Sequence, residues 1–172
     1  MLAAALALLL LPGAMAEEAF EEVLGGEEAV MGYAVQLYRT YRPDVVVTHD
    51  KFGEYGHTAH VIVSRIMREG WEKAADAAYR PELGEAWQAK KLYLHMYRDE
   101  IAVRMPWYEP LDFFDGKNAL DMAKEGYKKH VSQQGIGHVV YESGSYNSRM
   151  FSLWFSAVGA DEKKNDFFEN IP

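Results

Sequence analysis

Val45-Val46-Val47-Thr48-His49-Asp50-Lys51-Phe52-Gly53-Glu54-Tyr55-Gly56-His57-Thr58-Ala59-His60 is the stretch that decides the fold. Three β-branched residues in a row read as a buried strand, and the polar cluster after them marks its carboxyl end. Gly53 and Gly56 bracket a loop. A helical pattern then begins near His57, its apolar face traced by Ala59, Ile62, Val63, Ile66, Met67, Gly70 and Ala74. Strand, polar loop and helix form an α/β unit with a parallel sheet, and such sheets place ligands outside the carboxyl ends of their strands. Three of the chain's six histidines fall within these sixteen residues, together with Asp50, Glu54 and Tyr55. His57 and His60, three apart at a helix start, share one face and can point at one site.

Outward from this unit the pattern continues. Upstream, Val30, Ala34, Leu37, Tyr38 and Tyr41 recur at helical spacing, with acids first and Arg39 and Arg42 last, as the helix dipole prefers. Arg42-Pro43-Asp44 ends that helix. Downstream, Pro81 to Lys90 reads as a loop with a helical turn. Lys91 to Met96 reads as a second strand carrying Leu92, Leu94 and Met96 on one face, with Ile101 to Met105 pairing nearby. Asn118 to Gln133 reads as a helix with Asn118 near its N-cap and Ala119, Met122, Ala123, Gly126 and His130 on one face. Met150 to Val158 alternates like a strand, and Asp161 to Pro172 is a charged tail. The expected architecture is a three-layer α/β sandwich of Rossmann-like type. Val45–Thr48 and Lys91–Met96 share its sheet, flanked by the helices that start at Glu27, His57 and Asn118.

A net charge of −8 over 172 residues excludes a sequence-independent grip on nucleic acid or anionic lipid, which needs a basic face. With no cysteine there is no disulfide and no thiolate, so any metal must sit on His and carboxylate, a donor set that suits zinc. Met1 to Ala16 stands apart. Leu2 to Leu11 contains only Leu and Ala, Pro12-Gly13 breaks the run, and Ala14-Met15-Ala16 is a small-x-small cleavage pattern. The run is shorter than the ~20 apolar residues of a membrane span. We read residues 1–16 as a signal peptide and 17–172 as the domain, with no integral membrane segment after cleavage. The protein is then secreted or extracytoplasmic, and without the signal reading it is cytoplasmic.

Arg42-Pro43-Asp44-Val45-Val46-Val47-Thr48-His49-Asp50 followed by Gly53-Glu54-Tyr55-Gly56-His57-Thr58-Ala59-His60 resembles the PIG-L/LmbE family of zinc-dependent de-N-acetylases. Lys91-Leu92-Tyr93-Leu94-His95, His130-Val131-Ser132-Gln133-Gln134 and Asn165-Asp166-Phe167-Phe168-Glu169 extend the likeness to the span from about Glu27 to Glu169. The Gly-Glu-Tyr-Gly-His-x-x-His element is its specific part. The resemblance implies a Rossmann-like fold and removal of an acetyl group from an N-acetylated sugar or related amide. It makes His60 a zinc ligand, places His57 beside the reacting carbonyl as an acid or electrostatic stabiliser, and gives Tyr55 the developing oxyanion. It also calls for a His-Pro-Asp-Asp element after a first strand, supplying two more metal ligands and a general base. No His-Pro-Asp occurs in this sequence and no histidine precedes His49, so that strand and loop are expected to be missing. Thr58-Ala59 stands where many members carry Pro-Asp.

Asp50 and Glu54 read first as acids that cap the loop, with a metal or substrate role as the alternative. His49 reads as a residue that orients a neighbour, and His130 as a core histidine that the resemblance brings near the pocket. His95 and His138 carry no separate signal. Two functions stand side by side: a de-N-acetylase in a shortened form with impaired activity, and a non-catalytic relic or carbohydrate-binding module of the same fold. With one zinc ligand assigned, the chain is expected to hold the metal weakly.

Overall fold

The computed structural model describes residues 24–97, 101–131, 149–163 and 165–172. The signal-peptide reading of 1–16 and His138 lie outside the described residues. Helix α1, Gly26–Tyr41, opens with Glu27 and Glu28 and ends where Arg42 turns left-handed (φ 48°), its N–H donating to the Tyr38 carbonyl at 2.9 Å. Strand β1, Val45–His49, follows. A short helical turn α2, Gly53–Gly56, occupies the expected loop, and α3, Thr58–Ala75, starts directly after it. Then come a 3-10 turn at Pro81–Leu83, β2 at Lys91–His95, β3 at Ile101–Arg104, α4 at Ala119–Tyr127 and β4 at Met150–Ser156.

The four strands form one sheet in the order β1-β2-β4-β3. β1 and β2 are parallel, as the strand–helix–strand pattern requires, with Val45 opposite Lys91 and His49 opposite His95. β4 runs antiparallel to both β2 and β3, so the sheet is mixed and not parallel throughout. β3 therefore pairs with β4, and β4 separates it from β2. Among the described residues β1 has a neighbour on one side only, and Val47 on it is exposed.

α1 and α3 cover one face. Met31, Ala34, Val35 and Tyr38 of α1 and Ile66 and Ala74 of α3 pack on Val46, Leu92 and Leu94, the even-numbered residues of the two strands. The second face is closed differently from the expectation. Tyr93, Ala102 and Val103 pack there with Val45, Phe151, Leu153 and Phe167, the last of these from the C-terminal segment. α4 contributes a single buried side chain, Leu120, which belongs to neither core cluster. The described residues thus give an α/β fold of two helices on a mixed sheet, with the chain's end on the far face in place of a third layer. Asn118 does cap α4 through a reciprocal box with Asp121, but the helix stops at Tyr127 and leaves His130 outside it.

The C-terminal segment is therefore more than a charged tail. Asp161 reaches back to the fully buried Lys91 and accepts a second hydrogen bond from the Tyr93 hydroxyl at 2.7 Å. Glu169, also buried, accepts from the Glu162 and Lys163 amides at 2.7 Å each. Arg39 is buried on the helical side. Its guanidinium donates to the carbonyls of Lys73, Ala74 and Asp76 at the end of α3 and to those of Tyr79, Arg80 and Gly84 beyond it. One cation thus satisfies carbonyls that a helix terminus leaves open.

Two phenols of this core set an alkaline limit. Burial pushes the Tyr38 hydroxyl well above its ordinary pKa, and it donates to the Met67 carbonyl at 2.9 Å. Burial does the same to Tyr93, helped by its hydrogen bond to Asp161 and that carboxylate's charge. Both stay neutral in the fold, whereas an unfolded tyrosine ionises near pH ~10. The stability they support is full below that pH and is lost as pH rises above it. Urea midpoints should fall steeply from about pH 10 upward, with two phenolate signals appearing only as the fold opens. A midpoint that holds level through about pH 11 would count against this.

Candidate metal and catalytic site

The register of the parallel pair builds the site. Because Val45 lies opposite Lys91, the fifth residue of each strand is a histidine, and His49 and His95 end side by side. Ser64 of α3, fully buried, donates its hydroxyl to the His49 carbonyl at 2.8 Å and fixes helix to strand end. The chain then turns sharply. Asp50 is buried and its Oδ1 accepts from the Phe52 amide at 2.9 Å and the Glu54 amide at 2.6 Å, so its first-read role as a loop cap is the one observed. Gly53 sits at φ 68°, and a side chain there would press on Val61 and the His60 Cβ. Glu54 adopts φ 65°, a left-handed conformation uncommon for a residue with a side chain.

That turn aims the Glu54 carboxylate at the strand ends. Its Oε1 lies 2.9 Å from His49 Nδ1 and 2.6 Å from His95 Nδ1. Its Oε2 lies 4.0 Å from His60 Nδ1. The His49 and His60 rings stack parallel with centroids 4.1 Å apart, and the His57 ring is 4.8 Å from that of His60. Three histidines therefore gather around one carboxylate, and a fourth, His57, lies against the ring of His60. His57 is the N-cap residue of α3, with extended backbone, and its side chain makes no cap hydrogen bond.

Electrostatics follow from the crowding. Burial alone would raise the Glu54 pKa, but hydrogen bonds from His49 and His95 and the charge of those rings outweigh it and draw the group down to about 2. For His60, burial lowers the pKa, and His49 and His57 add to that. The Glu54 charge and a backbone hydrogen bond with Gly53 pull the other way without prevailing. His60 is therefore held toward the neutral imidazole, the form that ligates a metal. Ligand atoms of His49, Glu54 and His60 all lie within 4.8 Å of one another, a group of two imidazoles and one carboxylate that fits zinc chemically.

The strand ends also line an open cleft of about 520 Å³, walled by Val47, Val63, Met67 and Phe151 with His49 and His95 at its polar end. His130 does not join the site. It is exposed and stacks on Tyr127, ring centroids 5.9 Å apart, which corrects its reading as a core histidine. Tyr55 belongs to α2, and its side chain lies outside the described residues. His95, to which sequence assigned nothing, joins the site. Its signal was the equal offset of His49 from Val45 and of His95 from Lys91, which becomes informative once the two strands are paired.

Fold and site thus define an α/β protein with a histidine–carboxylate cluster at the carboxyl end of a parallel strand pair. Comparison with known proteins is consistent with that. The chain is 48% identical over 67 residues to the 1D-myo-inositol 2-acetamido-2-deoxy-alpha-D-glucopyranoside deacetylase of Geodermatophilus obscurus, a match covering 39% of this chain and 22% of that protein. It is 45% identical over 62 residues to the protein of the same name from Streptomyces avermitilis, covering 36% and 21%. A third such deacetylase, from Saccharopolyspora erythraea, is 46% identical over 59 residues, covering 34% and 22%. The chain therefore spans about a fifth of the length of the curated relatives it matches. No family model matches it. Among the described residues no helix is long and apolar enough to cross a membrane.

Proposed function

We propose that this chain carries part of the active site of a zinc-dependent amide hydrolase that removes the acetyl group from an N-acetylated sugar or related amide. The observation that carries the reading is the likeness, at 45–48% identity, to two proteins named as deacetylases of an acetamido sugar joined to inositol. The histidine cluster supports it. In the reaction the acetyl C–N bond breaks, the oxygen of water joins the acyl carbon, and the amine leaves with a proton. Zinc held by His60, when bound, lowers the pKa of its water to ~7 and polarises the amide. His57 stands beside the reacting carbonyl and gives a proton to the departing amine or stabilises charge there. Tyr55 donates its hydroxyl toward the developing oxyanion. His49 and His95 hold Glu54 ionised, which fixes the turn carrying these groups.

A second reading, a sugar-binding module without turnover, has one observation in its favour. The Asp50 Oδ1 is tied to two loop amides and the Glu54 Oε1 to two imidazoles, so both nearby carboxylates are already engaged. Release of free amine from an acetamido sugar–inositol conjugate, with the chain zinc-loaded, separates the two. We expect slow release that His60→Ala abolishes. Saturable binding of the sugar with no amine formed, or release unaffected by His60→Ala, would refute the hydrolase reading.

A further inference from the structure

The resemblance leaves His60 as a solitary metal ligand, yet the structure surrounds it with donors. We propose that His49, Glu54 and His60 together hold one divalent metal ion, in a site this chain completes from its own residues, with His95 positioning the carboxylate. The choice of zinc for that ion rests on the hydrolase reading; the three-donor site does not.

Three observations converge. The first is separation. His60 Nδ1 and Glu54 Oε2 are 4.0 Å apart, too far for a hydrogen bond, while donors on a tetrahedral zinc with bonds of ~2.0–2.2 Å sit roughly 3.4 Å apart. A shift of a few tenths of an ångström at each donor closes that gap. The second is the division of labour on the carboxylate. Oε1 takes the contacts with His49 and His95 on the strand side, and Oε2 faces His60. A ligating carboxylate is ordinarily oriented by such an outer hydrogen bond, and His95, at 2.6 Å, supplies it. The third is the backbone. The turn has three left-handed residues, and where Gly53 and Gly56 meet the demand without strain, position 54 carries a glutamate at φ 65°. A residue with a side chain is disfavoured in that conformation, and here it aims the carboxylate at the histidines.

The arrangement also says what must move. A metal–imidazole bond lies in the ring plane, and two parallel rings 4.1 Å apart cannot both direct a nitrogen at one ion. Entry of the metal therefore opens the His49–His60 stack by rotation of one ring, and His49 Nδ1 exchanges its contact with Glu54 Oε1 for the ion or turns its other nitrogen inward. His95 keeps Oε1 satisfied throughout.

The test is binding, read apart from turnover. The full chain, stripped with chelator, is titrated with zinc chloride by calorimetry, and the zinc-loaded protein is examined by X-ray absorption. We expect one zinc per chain, with a coordination sphere containing two imidazoles and a carboxylate oxygen. His49→Gln and Glu54→Gln should each weaken binding by about a hundredfold or more. His95→Gln should weaken it about tenfold, as loss of an outer partner does. Circular dichroism of each variant confirms that it folds, and the absorption spectrum of the unaltered protein needs no variant. No zinc bound, a sphere with one imidazole and no carboxylate, or affinity indifferent to both His49→Gln and Glu54→Gln would overturn the site. Zinc bound by the expected donors with no amine released would keep the site and refute the hydrolase reading.

Discussion

Asp161→Asn should destabilise the protein by about 3–5 kcal/mol, because it strands the Lys91 ammonium in the core. Lys91 is fully buried between sheet and C-terminal segment, and the Asp161 side chain is 2% exposed. Within reach of the ammonium the described polar partners are Asp161 and the Tyr93 hydroxyl, which is 3.3 Å away and itself donates to Asp161. Removing the negative charge leaves a desolvated cation, and a domain of this size has only ~5–15 kcal/mol of stability to lose. The pair itself is a different matter. Replacing both partners, Lys91→Met with Asp161→Leu, removes the desolvation cost along with the attraction and should restore most of the loss. Urea unfolding of the single and double variants decides it. A loss below about 1 kcal/mol for Asp161→Asn would mean that water reaches Lys91.

This contact also marks the limit of what the sequence discloses. β1, α1 and α3 were readable because their signals are local: three valines in a row, an apolar stripe of period 3.6, and Pro43 between them. The gathering of candidate residues at the carboxyl end of β1 was readable for the same reason. The second face of the sheet was not. Lys91 and Asp161 are seventy residues apart, and a lysine opening a strand and an aspartate opening a polar tail look like surface residues until folding puts them together. Helix α4 failed in the opposite direction. Its stripe from Ala119 to His130 is a real pattern, but among the described residues the helix runs only to Tyr127 and buries Leu120, which lies off that stripe. Glu54 shows the same limit within the site. Its position in the chain reads as a loop cap, and Asp50 does the capping; the left-handed turn frees Glu54 to face the histidines.

The largest effect should come from supplying a general base. The His-Pro-Asp-Asp element that the resemblance calls for is not found in these 172 residues, and the acids near His60 have other duties. Asp50 holds the turn through Oδ1, and Glu54 is kept ionised at about pKa 2 by two imidazoles, too weak a base to accept a proton from water near neutral pH. A metal held by His60 would lower the pKa of a water there, and a positioned base would speed the proton's departure as the acyl carbon is attacked. A positioned base contributes typically 10²–10⁴ in rate. Fusing to the amino end a strand and loop that carry His-Pro-Asp-Asp should therefore raise amine release from the acetamido sugar by about that factor. His57→Ala in the fused protein should then remove about 10²–10³, the scale of one stabilising group at the reacting carbonyl. Zinc affinity of the unfused chain is the internal control, since it reports the metal site without the base. If the unfused chain already turns over as fast as the fused one at equal zinc loading, a group within the described cluster must be serving as base, and the view that Asp50 and Glu54 are fully engaged elsewhere falls.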